Sequence, residues 1–168
     1  MHFSFLGLGV TIRNRREDGQ RSMQTTPETI LLVDDEPEVR AVIRDVLELK
    51  GYTVFEAGDA TEAAKVEAGV AGPIHLLLTD VVMPGLSGPD LARRLTPRRP
   101  RMKVIYMTGF SFVDIQNQQI GLEAGVPIIA KPFRVDGLIK KVREVLAVAA
   151  PSRSNPFAPA SPFAPAVR

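Results

Sequence analysis

Residues 29–47 read TILLVDDEPEVRAVIRDVL, and they set two carboxylates, Asp34 and Asp35, directly behind a run of apolar residues. Neighbouring like charges repel and resist burial, so the pair marks where a dry strand meets an open rim. Beyond it Val39, Val42, Ile43, Val46 and Leu47 recur at spacings of three and four, the apolar stripe of an amphipathic helix. Pro37 suits the first turn of that helix and Gly51 its exit. The stretch is therefore strand, acidic turn, helix.

The same unit repeats along the chain. ILLV (30–33), TVFEA (53–57), IHLLLT (74–79), KVIYM (103–107) and PIIA (127–130) read as five short strands, apolar on both faces. Helices are expected over 60–70, 87–95 and 113–123. A last one over 135–149 carries Leu138, Val142, Val145, Leu146 and Ala149 on one side. Strand and helix alternating in this way predict an α/β fold: a doubly wound, five-stranded parallel sheet with right-handed crossovers and helices on both faces.

Two flanks differ from this core. Residues 1–27 show no sustained period and are expected to be a flexible extension, with Met23 a second possible start; residues 28–149 form the patterned domain. Residues 150–168 are rich in Pro, Ala and Ser and repeat Pro-Phe-Ala-Pro-Ala, a composition expected to stay disordered. The apolar run MHFSFLGLGV falls short of the roughly 20 residues a membrane span needs. Its basic residues follow it rather than precede it, so no export signal is expected. The chain has no cysteine, which excludes disulfides, thiol nucleophiles and thiolate-held zinc and is consistent with a cytoplasmic location. A net charge of +2 requires no large nucleic-acid or membrane footprint.

In a parallel sheet, function gathers at the carboxyl ends of the strands. Asp34 and Asp35 follow the first strand, Asp80 the third, Thr108 the fourth and Lys131 the fifth. One Asp after a strand is ordinarily a turn or helix cap. Three acids, a hydroxyl and an amine at matched ends outweigh that reading. Three carboxylates in one cleft raise each other's pKa unless a cation sits among them. Oxygen ligands without His or Cys suit Mg²⁺. A carboxylate-held Mg²⁺ beside a lysine and a hydroxyl is equipment for handling a phosphoryl group. Asp80, on the central strand, is the candidate nucleophile, forming an aspartyl phosphate.

These residues resemble those of the response-regulator receiver domain of two-component signalling. The resemblance covers residues 28–149 and rests on ILLVDDEP, LLLTDVVMPGLSG, MTG and AKPF, in order and at family-like spacing. It implies the flavodoxin-like strand order 2-1-3-4-5 and autocatalytic phosphorylation from a kinase's phosphohistidine, with no other enzymatic activity. Asp80 would be the phospho-acceptor, Asp35 a direct Mg²⁺ ligand and Asp34 a ligand chiefly through water. The carbonyl of Val82 would complete the metal site, Thr108 would be the switch hydroxyl, and Lys131 would contact the phosphoryl group. The Lys131–Pro132 bond would be cis. Implied partners are a histidine kinase or histidine phosphotransfer protein and a downstream protein target. Oligomers would form through the face built by the fourth helix, fifth strand and last helix. VVMPGLSG and GVPIIAKPF are similar to receivers that serve hybrid sensor kinases. One position departs: three residues before the site lysine the family has Tyr, Phe or His, and here Ile128 offers no rotating ring. Coupling would then run through backbone movement or a different partner surface.

Other signals yield less. Arg93, Arg94, Arg98, Arg99, Arg101 and Lys103 read as a solvated loop, since no recognition element accompanies them and no nucleic-acid binding is expected. His2 and His75 are isolated, and GLGVTIRNRREDG lacks the spacing of a nucleotide loop. The proline-rich repeats could dock a groove, but a plain tail explains them. A haloacid-dehalogenase-like phosphohydrolase wants a second acid two residues after the nucleophile, where this chain has Val82. The alternative left standing is a phosphorylation-independent, receiver-like adaptor. Val82 and Phe110 flank the expected path of hydrolytic water and are apolar. Replacing them, Val82→Asn with Phe110→Glu, is expected to shorten the lifetime of the phosphorylated protein in a phosphate-release assay; an equal or longer lifetime would leave both residues as ordinary packing.

Overall fold

The computed structural model describes residues 27–110 and 121–148. The strands are β1 (Thr29–Val33), β2 (Thr53–Ala57), β3 (Leu76–Asp80), β4 (Lys103–Thr108) and β5 (Ile128–Ala130). The helices among the described residues are α1 (Pro37–Leu49), α2 (Ala60–Gly69), α3 (Gly88–Leu95) and α4 (Val135–Ala147). All five strands pair in parallel in the order β2-β1-β3-β4-β5, the doubly wound arrangement expected from the sequence. Most of the helix expected over 113–123, the stretch 1–26 and the tail from 149 onward lie outside the described residues. No helix among the described residues is long and apolar enough to cross a membrane.

Alternation along the strands sorts the core into two layers. Leu31, Val33, Leu77 and Tyr106 pack with Ala63, Leu91 and Leu95 from α2 and α3. Ile30, Leu32, Leu78 and Ile105 pack with Ile43 and Leu47 of α1 and Leu138 and Val142 of α4. β1 and β3 are buried almost throughout, which is why they read as unbroken apolar runs.

Local chemistry sets the helix limits. Pro37 opens α1, and Gly51, at φ 91°, closes it while donating its N–H to the Glu48 carbonyl at 2.9 Å. Asp59 caps α2 by accepting from the N–H groups of Thr61 and Glu62 at 2.7 and 2.8 Å. Val42, assigned by spacing to the buried stripe of α1, is 59% exposed; Ile43 and Leu47 carry the burial. A valine at the edge of a helical stripe points past the sheet rather than into it.

The third strand begins two residues later than its apolar run. Ile74 is buried ahead of it, and His75 serves as the hinge with β1. The His75 N–H donates to the Thr29 carbonyl at 2.8 Å, and its Nδ1 accepts from the Thr29 N–H at 2.8 Å.

The basic run is not simply a solvated loop. Arg99 donates through Nε to Glu67 Oε1 at 2.7 Å and through its terminal nitrogens to the carbonyls of Val70 and Gly72 at 2.8 and 2.7 Å. Glu67 is 2% exposed on the inner face of α2, and Arg98 also reaches it at 3.1 Å. Lys103 caps the end of α4, its Nζ donating to the carbonyls of Val145 and Leu146 at 2.9 and 2.8 Å. Removing one partner of a buried pair strands the other charge. Arg99→Ala, which leaves Glu67 only the more exposed Arg98, is expected to lower unfolding free energy by about 2 kcal/mol, and Glu67→Gln on that background to recover part of it, in urea denaturation.

Candidate functional site

The rim of the sheet gathers its charges through the ends of β1, β3 and β5. Asp34 follows β1 directly. Its N–H donates to the Ala57 carbonyl at 3.2 Å, which holds the residue against the end of β2. Its carboxylate is fully buried, accepting from the Glu36 N–H at 3.0 Å and from Lys131 Nζ at 2.7 Å. Arg40, one turn into α1, donates to the Asp34 carbonyl. The acid expected to face solvent is thus enclosed, while Asp35 and Glu36 beside it are exposed.

Asp80 is the last residue of β3 rather than the one after it, paired in register with Met107. Its carboxylate is 6% exposed, with Oδ2 accepting from Lys131 Nζ at 2.6 Å and Oδ1 from the Val82 N–H at 3.2 Å. Thr108 likewise ends β4, buried, and its Oγ1 accepts from the Phe110 N–H at 3.0 Å. Lys131 follows β5, its own N–H donating to the Thr108 carbonyl at 2.6 Å, so the amine reaches past β4 to both acids. The Lys131–Pro132 bond is cis.

Gly88, at the start of α3, sits so close beneath β3 that a Cβ there would collide with the Asp80 carbonyl. Its N–H donates to the Val81 carbonyl at 3.0 Å. Only glycine lets the β3–α3 turn fold this tightly.

One acid was not singled out by sequence reasoning. Glu36 joins Asp34 and Asp80 in a group whose carboxylate oxygens all lie within 4.8 Å of one another, whereas Asp35 stands outside it. Glu36 also lies 3.5 Å from Lys131 Nζ. The signal was present in the run of three acids DDE, of which strand-end reasoning weighed only two. Three carboxylates face one ammonium here, an imbalance that a cation would relieve. Burial dominates at Asp34 and pushes its pKa up against the opposing pull of Lys131. At Lys131 burial works to lower the pKa, but hydrogen bonds to Asp34 and Asp80 outweigh it and the value rises.

The family model described as the response regulator receiver domain matches residues 30–143. The chain belongs to that family. This receiver domain is 34% identical to the response regulator receiver protein CpdR of Brucella abortus over 71% of this chain and 98% of that protein. It is 35% identical to the sensor kinase CckA of the same organism over 70% of this chain but only 12% of the kinase. The crystal structure of the receiver domain of a hybrid histidine kinase CckA matches with a TM-score of 0.60 and 34% identity, covering 70% of this chain and 98% of that one. The response regulator TrrA of Thermotoga maritima, solved in complex with Mg²⁺-BeF, matches with a TM-score of 0.57 and 29% identity, covering 70% of this chain and 98% of that one.

The electrostatics yield a prediction for the receiver. Because the folded state raises the pKa of Asp34, its ionised form is penalised, and its contribution to metal-free stability falls as pH rises through that raised value. Asp34→Asn is expected to stabilise the metal-free protein at neutral pH, read as a higher melting temperature in EDTA. A lower melting temperature would show that the link to Lys131 outweighs the burial cost.

Proposed function

We propose that this receiver takes a phosphoryl group onto Asp80 from the phosphohistidine of a histidine kinase or histidine phosphotransfer protein, and signals in the cytoplasm through contact with a downstream protein. The observation that carries this reading is the Asp80 carboxylate: enclosed at the end of the central strand, with Lys131 Nζ 2.6 Å from Oδ2. In the transfer the N–P bond of the donor imidazole breaks, an Oδ–P bond forms at Asp80, and the released imidazole nitrogen takes a proton. Lys131 then meets a phosphoryl oxygen without having to leave the site. Thr108 Oγ, which accepts from the Phe110 N–H, keeps its own proton free to donate. The chain acts on itself and turns over no other substrate.

A magnesium ion bound here would neutralise the phosphoryl oxygens. The residues that would hold it are Asp34, Asp35, Asp80 and the Val82 carbonyl, with Glu36 a further carboxylate at the same centre. The donor set suits the ion. Octahedral oxygen ligands at about 2.1 Å stand at most about 4.2 Å apart. The carboxylate oxygens of Asp34, Glu36 and Asp80 already lie within 4.8 Å of one another. The Mg²⁺-BeF complex of the related TrrA supports the choice of metal.

Ile128, 39% exposed on β5, favours a second reading, a receiver-like adaptor that works without phosphate. Labelling separates the two. With Mg²⁺ and acetyl phosphate, or a phosphorylated histidine donor, the wild type is expected to reach one phosphoryl group per chain. Asp80→Asn and EDTA should each abolish the label, which intact-mass measurement detects. No label on the wild type from either donor would favour the adaptor.

A further inference from the structure

We propose that the groove between α2 and α3 docks an acidic, amphipathic segment of another protein. The groove encloses about 490 Å³ and lies apart from the carboxylate rim. Its floor is apolar: Ala60, Ala64 and Ala68 come from one side of α2, and Leu86, Leu91 and Leu95 from α3 and the turn before it. Alanines at spacings of four keep the α2 wall low, so a backbone can approach it closely. Its charged lining residues are all cations: Lys65, Arg94 and Arg98. Lys65 and Arg94 are exposed and enter no ion pair among the described residues, while Arg98 reaches Glu67 at 3.1 Å. The nearby acid Glu62 is turned away, accepting from the Gly58 N–H at 2.6 Å.

Charge selects the occupant. The chain's own flanks are poor candidates: residues 1–26 carry Arg13, Arg15, Arg16 and Arg21 against Glu17 and Asp18, and residues 149–168 carry Arg153 and Arg168 with no acid. A second copy meeting groove to groove would set cation against cation. Nucleic acid would match the charge but leave the exposed part of the apolar lining, Ala64, Ala68 and Leu86, uncovered. A segment with apolar residues along one side and Asp or Glu along its flanks satisfies floor and rim together.

The test selects from a display library of random peptides on the immobilised full chain, then titrates the enriched peptides by ¹H–¹⁵N NMR. Support is enrichment of acidic peptides with apolar residues at helical spacing, shifts centred on α2, Leu86 and α3, and binding weakened about tenfold or more by Lys65→Glu with Arg94→Glu. Melting temperature and Asp80 labelling serve as controls for the double variant; should it unfold early, Lys65→Gln with Arg94→Gln is expected to weaken binding in the same direction. Neutral or basic peptides, no enrichment, shifts elsewhere, or equal binding to the variant would overturn the proposal. So would duplex DNA, anionic vesicles or a second copy occupying the groove while no acidic peptide does.

Discussion

The ammonium of Lys131, 2.7 Å from Asp34 and 2.6 Å from Asp80, is the contact on which the rim depends. Two enclosed carboxylates cannot stay ionised side by side without a cation, and water is largely shut out at both. The strand order makes the contact possible. β1 and β3 are neighbours and deliver the acids together; β5 lies beyond β4, so only a long side chain can bridge the gap. Lysine has that reach, and its single charge leaves the three-carboxylate group short of neutral. One interaction thus offsets part of the repulsion between the acids and leaves the rim with a net negative charge.

Much of this was legible because two periodicities did the sorting. Buried β strands in a two-sided sheet are continuous apolar runs, and ILLV and LLLT announce themselves. The ends were less clear. Asp80 and Thr108 read as residues following their strands, yet both keep ladder partners, in Met107 and Ala130. A polar residue can finish a strand when its backbone pairs and its side chain serves the rim. Asp34, Asp80, Thr108 and Lys131 can be read from strand ends alone, whereas Glu36 sits in the turn, where the strand rule does not reach.

The buried ion pair shows what pattern reading overlooks. Ala60, Ala63 and Glu67 share the inner face of α2, and a glutamate on an apolar stripe is a sign that a partner exists. The partner, Arg99, is 32 residues away, and no local spacing connects them. Its side chain also satisfies the carbonyls at the end of α2, so a residue that reads as surface charge joins two elements.

Ile128 and Tyr106 meet where β5 closes the edge of the sheet. They are register partners on β5 and β4, and the aromatic ring of the pair lies on β4, fully buried two residues before Thr108. The Tyr106 hydroxyl donates to Glu123 Oε2 at 2.7 Å, and burial together with that carboxylate pushes its pKa up, so it stays protonated and donating. Glu123 in turn pairs with Arg93 of α3 at 3.2 Å, and Arg93 with Asp90. A buried ring whose hydroxyl is bonded in this way links two elements. It ties the stretch entering β5 to α3, the helix whose first residue lies against the Asp80 carbonyl. The end of β3 and the approach to β5 are therefore braced through one helix.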